Sequence, residues 1–170
     1  IRDEKNSRGA IKIYEEALAH AKDLGLKKEE GRVYWILSSI FYEVDDLAKS
    51  IDFANRSIEI NRQINYRYGI AHALEEKAKA ILKKGDKLAA AEAYEESAKI
   101  FLTIENFSKN TKGSFSKAIL LYFETGLVEK ANNLLALSIM DVPHNNFEEI
   151  DQVIKKGSKS DIQNTIHQSY

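Results

Sequence analysis

Residues 10–18, Ala-Ile-Lys-Ile-Tyr-Glu-Glu-Ala-Leu, carry a pattern that returns three times along the chain. Ala10, Ile11, Tyr14, Ala17 and Leu18 are followed 40 residues later by Ser50, Ile51, Ala54, Ser57 and Ile58. Another 40 residues give Ala90, Ala91, Tyr94, Ser97 and Ala98, and 41 more give Ala131, Asn132, Leu135, Ser138 and Ile139. Each copy has a small residue, a residue four on, and a second small residue three further. Offsets of 0, 4 and 7 share one face of a helix. A fixed period of this length is the signature of stacked helical repeats.

The approach to each copy also repeats. Asp45-Asp46, Gly85-Asp86 and Thr125-Gly126 precede copies two to four. Asp46 and Asp86 suit helix N-caps, and Gly85 and Gly126 suit helix stops, so each site predicts a tight turn between two helices. Upstream, Tyr34, Leu37, Ser38 and Phe41 map by 40 onto Leu74, Lys77, Ala78 and Ile81, then onto Ser114, Lys117, Ala118 and Leu121. That alignment puts the slip from 40 to 41 between Ala118 and Ala131. Helices are predicted over 9–24, 29–44, 47–63, 67–84, 87–104, 113–125 and 127–140. After Pro143 the spacing changes, and a shorter pair near 146–156 and 160–168 is expected, with Ser158 and Asp161 at capping-box spacing. The chain thus divides into an array over 1–142, with an incomplete first repeat, and a closing helix pair over 143–170. Only eight residues precede helix 9–24, which reads as a piece of a longer array or a frayed end. Its apolar face is expected to seek cover, by self-association for example.

Composition agrees with helices throughout. The 170 residues are 44% hydrophobic and 30% charged, with a single Pro and eight Gly. That supports a packed domain, not a disordered one. No apolar run reaches the roughly 18 residues of a transmembrane helix. Cysteine is absent, which excludes disulfides, thiol nucleophiles and thiolate metal sites and fits a cytoplasmic location. The net charge of −1 gives no global basic field, so nucleic acid is not an expected partner.

Tyr34-x2-Leu37-Ser38-x2-Phe41 resembles the first helix of the tetratricopeptide repeat. Ala10-x3-Tyr14-x2-Ala17 and Ala90-x3-Tyr94-x2-Ser97 resemble its second. The likeness covers about residues 9–140. It departs in having Ser or Ala for Gly, no repeat-ending Pro, and a period of 40 instead of 34 residues. The resemblance implies an all-α fold, a right-handed superhelical stack of antiparallel helix pairs, acting as a noncatalytic protein-binding scaffold. HEAT and armadillo repeats run near this length but lack the small-x3-aromatic-x2-small signature. From about residue 113 the layout is also similar to the C-terminal part of the soluble NSF-attachment proteins, through Phe115-Ser116-Lys117-Ala118, Pro143, Phe147, Ile150, Ile154, Asp161, Ile162 and Ile166. That likeness implies an adaptor in SNARE complex disassembly. The ending His167-Gln168-Ser169-Tyr170 lacks the acidic segment and Leu of that family. A sensor array within a signalling or transcription regulator is a third reading.

In tetratricopeptide proteins the first helix of each pair lines the concave face. Carried over, this resemblance places Arg32, Trp35, Ser39 and Tyr42 there from one helix. The next supplies His72, Glu75, Lys79 and Lys83, and a third supplies Lys112, Phe115, Ile119 and Tyr122. The result is an aromatic rim with a basic middle, suited to a protein or peptide segment with carboxylates. The competing structural reading makes Phe115, Ile119 and Tyr122 core, Trp35 a packing residue, and Lys79, Lys83, Lys84 and Lys87 a solvated face.

Catalytic chemistry has little support. Glu15-Glu16, Glu29-Glu30, Glu75-Glu76, Glu95-Glu96 and Glu148-Glu149 are adjacent pairs, which diverge on a helix. His20, His72, His144 and His167 show no metal-binding spacing, so no metal and no cofactor is expected. Lys112-Gly113-Ser114 lacks the preceding Gly and strand of a phosphate loop and reads as a loop opening a helix. Asn55-Arg56-Ser57 and Asn106-Phe107-Ser108 match the glycosylation triplet by chance, one of them within a helix.

Overall fold

Five turns of one kind set the architecture. The computed structural model describes residues 4–104 and 108–140. Within them the chain forms α1 (Glu4–Asp23), α2 (Lys27–Glu43), α3 (Leu47–Gln63), α4 (Arg67–Lys83), α5 (Lys87–Leu102), α6 (Ser108–Glu124) and α7 (Val128–Met140). Gly25, Asp45, Asn65, Gly85 and Gly126 take positive φ, between 54° and 95°. At each, the following N–H reaches back to the last helical turn: Leu26 to Ala21 O, Asp46 to Phe41 O, Tyr66 to Asn61 O, Asp86 to Ile81 O and Leu127 to Tyr122 O, all within 2.8–3.3 Å. This is the Schellman closure, which satisfies the helix's orphan carbonyls and reverses the chain. Asp46 and Asp86 then cap α3 and α5, their carboxylates accepting from Lys49 N at 3.1 Å and Ala89 N at 3.0 Å.

Consecutive helices pack on one another to give an all-α stack of antiparallel pairs, α2 with α3, α4 with α5 and α6 with α7, preceded by α1. The repeating small residues are the contact. Ser50, Ala54 and Ser57, their counterparts Ala90, Tyr94 and Ser97, and Ala131 and Ser138 are all buried. Ser57 Oγ donates to Gly31 O at 2.7 Å, and 40 residues on Ser97 Oγ donates to Ala71 O at 2.9 Å. Ser38 Oγ donates to Ser50 O at 2.8 Å. Each such bond stapling the two helices of a pair stabilises by about 1 kcal/mol. In the first layer Val33, Leu37 and Phe41 pack with Ile11, Tyr14, Ala17, Leu18 and Phe53. In the last, Tyr94, Phe115, Ile119, Tyr122 and Leu134 fill the core.

The helix starts depart from expectation at two glycines. α1 runs through Gly9 from Glu4, and α6 runs through Gly113 from Ser108, where a loop was expected. An interior Gly costs only about 1 kcal/mol relative to Ala, which the packing of the flanking turns exceeds. The extra residue of the long repeat is also placed differently. Counted from the turns, Phe41, Ile81 and Tyr122 hold the same place, so the shift to 41 falls before α6 and not between Ala118 and Ala131. One residue is about 100° of helix rotation. The α1 face expected to need cover is partly used: Ile11, Tyr14, Ala17 and Leu18 lie against α2, while Ile13 stays 64% exposed. The closing pair expected over 146–156 and 160–168, with Pro143 and the Ser158 cap, lies outside the described residues. Among the described residues no helix is long and apolar enough to cross a membrane.

Candidate functional site

Of the first helices of the pairs, α2 and α4 stand side by side, so residues on their facing turns share a surface. α2 meets α4 directly, and α4 reaches α6 where Ser114 Oγ donates to Glu75 at 2.7 Å. Trp35 on α2 stacks flat on His72 of α4, with ring centroids 4.5 Å apart and planes 8° apart. Tyr68 meets the His72 edge at 4.4 Å, and Phe101 of α5 lies beneath at 5.0 Å. Offset and edge contacts of this kind add roughly 0.5–1.5 kcal/mol each beyond burial. His72 Nδ1 sits 3.3 Å from Glu75 Oε2, while its Nε2 is buried with no hydrogen-bond partner among the described residues. Burial pushes the Glu75 carboxyl up, but hydrogen bonds from His72 and Ser114 outweigh it, and the net displacement is below the ordinary carboxylate value.

The other expected face residues divide. Arg32 is exposed, and Ser39 and Tyr42 are half-buried on the same helix. Arg32 makes no ion pair among the described residues. The basic middle is largely neutralised: Lys79 pairs with Glu76 at 2.7 Å, and Lys83 pairs with Asp45 at 2.7 Å while lying over the Tyr42 ring. Lys112 is half-buried on α6. Phe115, Ile119 and Tyr122 are not on the face. They are 1%, 2% and 0% exposed, and the Tyr122 hydroxyl donates inward to Glu95 of α5. The physical reason is the register shift before α6, which turns Phe115 into the place held by Tyr34 and Leu74 and Tyr122 into that of Phe41.

A pocket of about 380 Å³ opens at the N-terminal ends of α2 and α4. Its walls include Trp35, Tyr66 and Tyr68, its rim Lys28, Glu29 and Arg32. Asn61 of α3 and Gly69 complete the lining. The volume lies at the lower end of the ~300–1,000 Å³ typical of ligand sites. Lys28 Nζ lies 4.6 Å from the Tyr66 ring centroid. Neither α2 nor α4 has a side-chain N-cap, unlike α3 and α5. Sequence reasoning found Arg32 and Trp35 but missed Lys28, Glu29, Asn61, Tyr66, Tyr68 and Gly69. One signal for Asn61 was available. Extending the small-residue stripe by four gives Ala21, Asn61 and Phe101, so Asn61 is a polar residue in a core slot, and all three are buried. Compared with known protein families, curated proteins and solved structures, the chain shows no match.

Proposed function

We propose that this chain is a noncatalytic cytoplasmic scaffold of the tetratricopeptide kind, which binds a protein or peptide segment on the face formed by α2, α4 and α6. The observation that supports this most is the Trp35–His72 stack beside the pocket: a rigid aromatic surface with a cation on its rim, Arg32, that has no ion-pair partner among the described residues. Side chains held at fixed spacing by packed helices lose little entropy on binding. Aromatic and Arg residues are the usual anchors of protein interfaces. Acidic groups on the partner remain part of the reading, with Lys28 and Arg32 replacing the paired Lys79 and Lys83 as their contacts.

The test is a random peptide display selection on the immobilised chain. Selected peptides are re-tested on Arg32→Gln/Trp35→Ala, and on Asp52→Asn/Glu59→Gln, which alters exposed residues of α3. Binding lost in the first and kept in the second supports the reading. No selected peptides, or loss only in the second, counts against it. Self-association through α1 is a subordinate part of the proposal, resting on exposed Ile13. Sedimentation of Ile13→Glu beside the parent chain tests it, and a parent that is strictly monomeric at high concentration removes it.

A further inference from the structure

The buried acceptor at the bottom of the pocket has no donor among the described residues. Asn61 is 1% exposed, and its Oδ1 makes no hydrogen bond. Its orientation is fixed by its neighbours. Ser57 spends its hydroxyl proton on Gly31 O, so Ser57 Oγ can only accept from Asn61. The amide therefore turns Nδ2 to Ser57, at 3.1 Å, and leaves Oδ1 as the free end, with Gly31 and Gly69 flanking the amide on its two sides. Gly69 is itself part of the pocket lining. A Cβ on either glycine would stand within 2.6–2.8 Å of Oδ1, so glycine at both positions is what makes room for the amide between the two helices. An acceptor buried without a partner costs free energy that an incoming N–H recovers.

The rim asks for the opposite chemistry. Lys28 and Arg32 face a single carboxylate in the lining, Glu29. The uncapped starts of α2 and α4 add the positive partial charge of helix N-termini. A ligand for the whole pocket must bring a hydrogen-bond donor to the floor, a negative group to the rim, and apolar surface for Trp35, Tyr66 and Tyr68. A doubly ionised phosphate monoester would suit the rim but bring no donor to Asn61.

We infer that the pocket takes an extended peptide segment in which an apolar residue is flanked by acidic ones, the apolar residue donating its main-chain N–H to Asn61 Oδ1. Side chains of an extended chain alternate in direction, so when the apolar one enters between the rings its acidic neighbours lie outside, within reach of the long side chains of Lys28 and Arg32 on the rim. The inference rests on the scaffold reading and specifies its ligand.

The probe is a capped peptide, acetyl-Gly-Asp-Leu-Asp-Gly-amide, titrated into isotope-labelled chain and followed by NMR. Three companions are titrated beside it: one N-methylated at Leu, one N-methylated at the first Gly, and one with both Asp replaced by Asn. The parent peptide should move the Asn61 side-chain amide and Trp35 indole signals. Methylation at Leu should weaken it about tenfold, the loss of one well-made hydrogen bond, and methylation at Gly should leave it unchanged. The Asn-containing peptide should be weaker on the parent chain, and Arg32→Gln should narrow that gap. Because methylation alters the ligand, no variant has to fold for that comparison. Equal affinity of the parent and Leu-methylated peptides overturns the inference, as does equal weakening by both methylations. Shifts confined to other parts of α2, α4 and α6 overturn it while leaving the scaffold reading standing. No shifts from this peptide also overturn it, and the scaffold reading is then decided by the display selection alone.

Discussion

Replacing Gly69 by Ala places a methyl group where Asn61 already is. The added Cβ would lie 2.6 Å from Asn61 Cγ and Oδ1 and 2.7 Å from Nδ2. Ordinary carbon contacts begin near 3.5 Å, so the side chain must move by close to an ångström. It cannot retreat, because Gly31 backs it from the other helix, where a Cβ position is only 2.8 Å away. Moving Asn61 breaks its bond to Ser57, about 1 kcal/mol, and overpacking a tight site adds about 1–3 kcal/mol. Against this, Ala favours the helix over Gly by at most about 1 kcal/mol. The net is a loss of roughly 1–3 kcal/mol. Gly113→Ala is the control: it is also inside a helix, with nothing within 4 Å of its Cβ position, so it should gain up to about 1 kcal/mol. Urea unfolding followed by far-ultraviolet circular dichroism measures both. Adding Asn61→Ala to Gly69→Ala restores room and should recover part of the loss, a coupling absent from the Gly113→Ala/Asn61→Ala pair. If Gly69→Ala stabilises as much as Gly113→Ala, the clamp reasoning is wrong.

Other outcomes follow from the same contacts. Ser97→Ala removes the bond to Ala71 O and should cost about 1 kcal/mol in urea unfolding, whereas Ser116→Ala, at a half-buried position outside the small-residue stripe, should change little. Asn65→Gly should stabilise by a few tenths to about 1 kcal/mol, because Asn65 holds φ 54° in the left-handed region, and Gly85→Ala should destabilise by about 1–2 kcal/mol at φ 95°. Glu75 has its folded-state pKa below the ordinary 4.5, so its contribution is full above that value and fades as pH falls through the lower folded pKa. Stability of the parent should therefore drop below about pH 4.5, and Glu75→Gln should show a shallower drop when melting is followed across pH 2–6.

Much of the fold was readable because it is written twice over. The small residues at Ser50, Ala54 and Ser57 and at Ala90 and Ser97 are a packing requirement with a fixed helical spacing, and Asp46 and Asp86 are caps with a known chemistry. The turn at Asn65 was harder to see, since Asn tolerates the left-handed conformation without announcing it as Gly does. Gly9 and Gly113 misled in the other direction, through a propensity too small to break a packed helix. The register error before α6 had the largest effect on the site. A repeat alignment that keeps Ala78 with Ala118 preserves small residues but rotates every other side chain of α6 by one position, and it moved Phe115 and Tyr122 from core to groove. The charge of the groove was not legible for another reason. Lys83 pairs with Asp45 from a preceding turn, and such pairing depends on how repeats stack, not on their sequence spacing. The pocket itself is made by Asn61, Tyr66 and Gly69, which come from one helix, a turn and the next helix, and only the stacking of α2 on α4 brings them beside Trp35.

Where a bound segment sits tests the central claim most directly. A peptide recovered by display selection, carrying a nitroxide label at one end, should broaden the amide signals of Arg32, Trp35, Tyr68 and His72 on α2 and α4 in the labelled chain. Broadening centred on Asp52, Glu59, Glu92 and Glu96, exposed on α3 and α5, would show that the opposite side of the stack does the binding and would contradict the account.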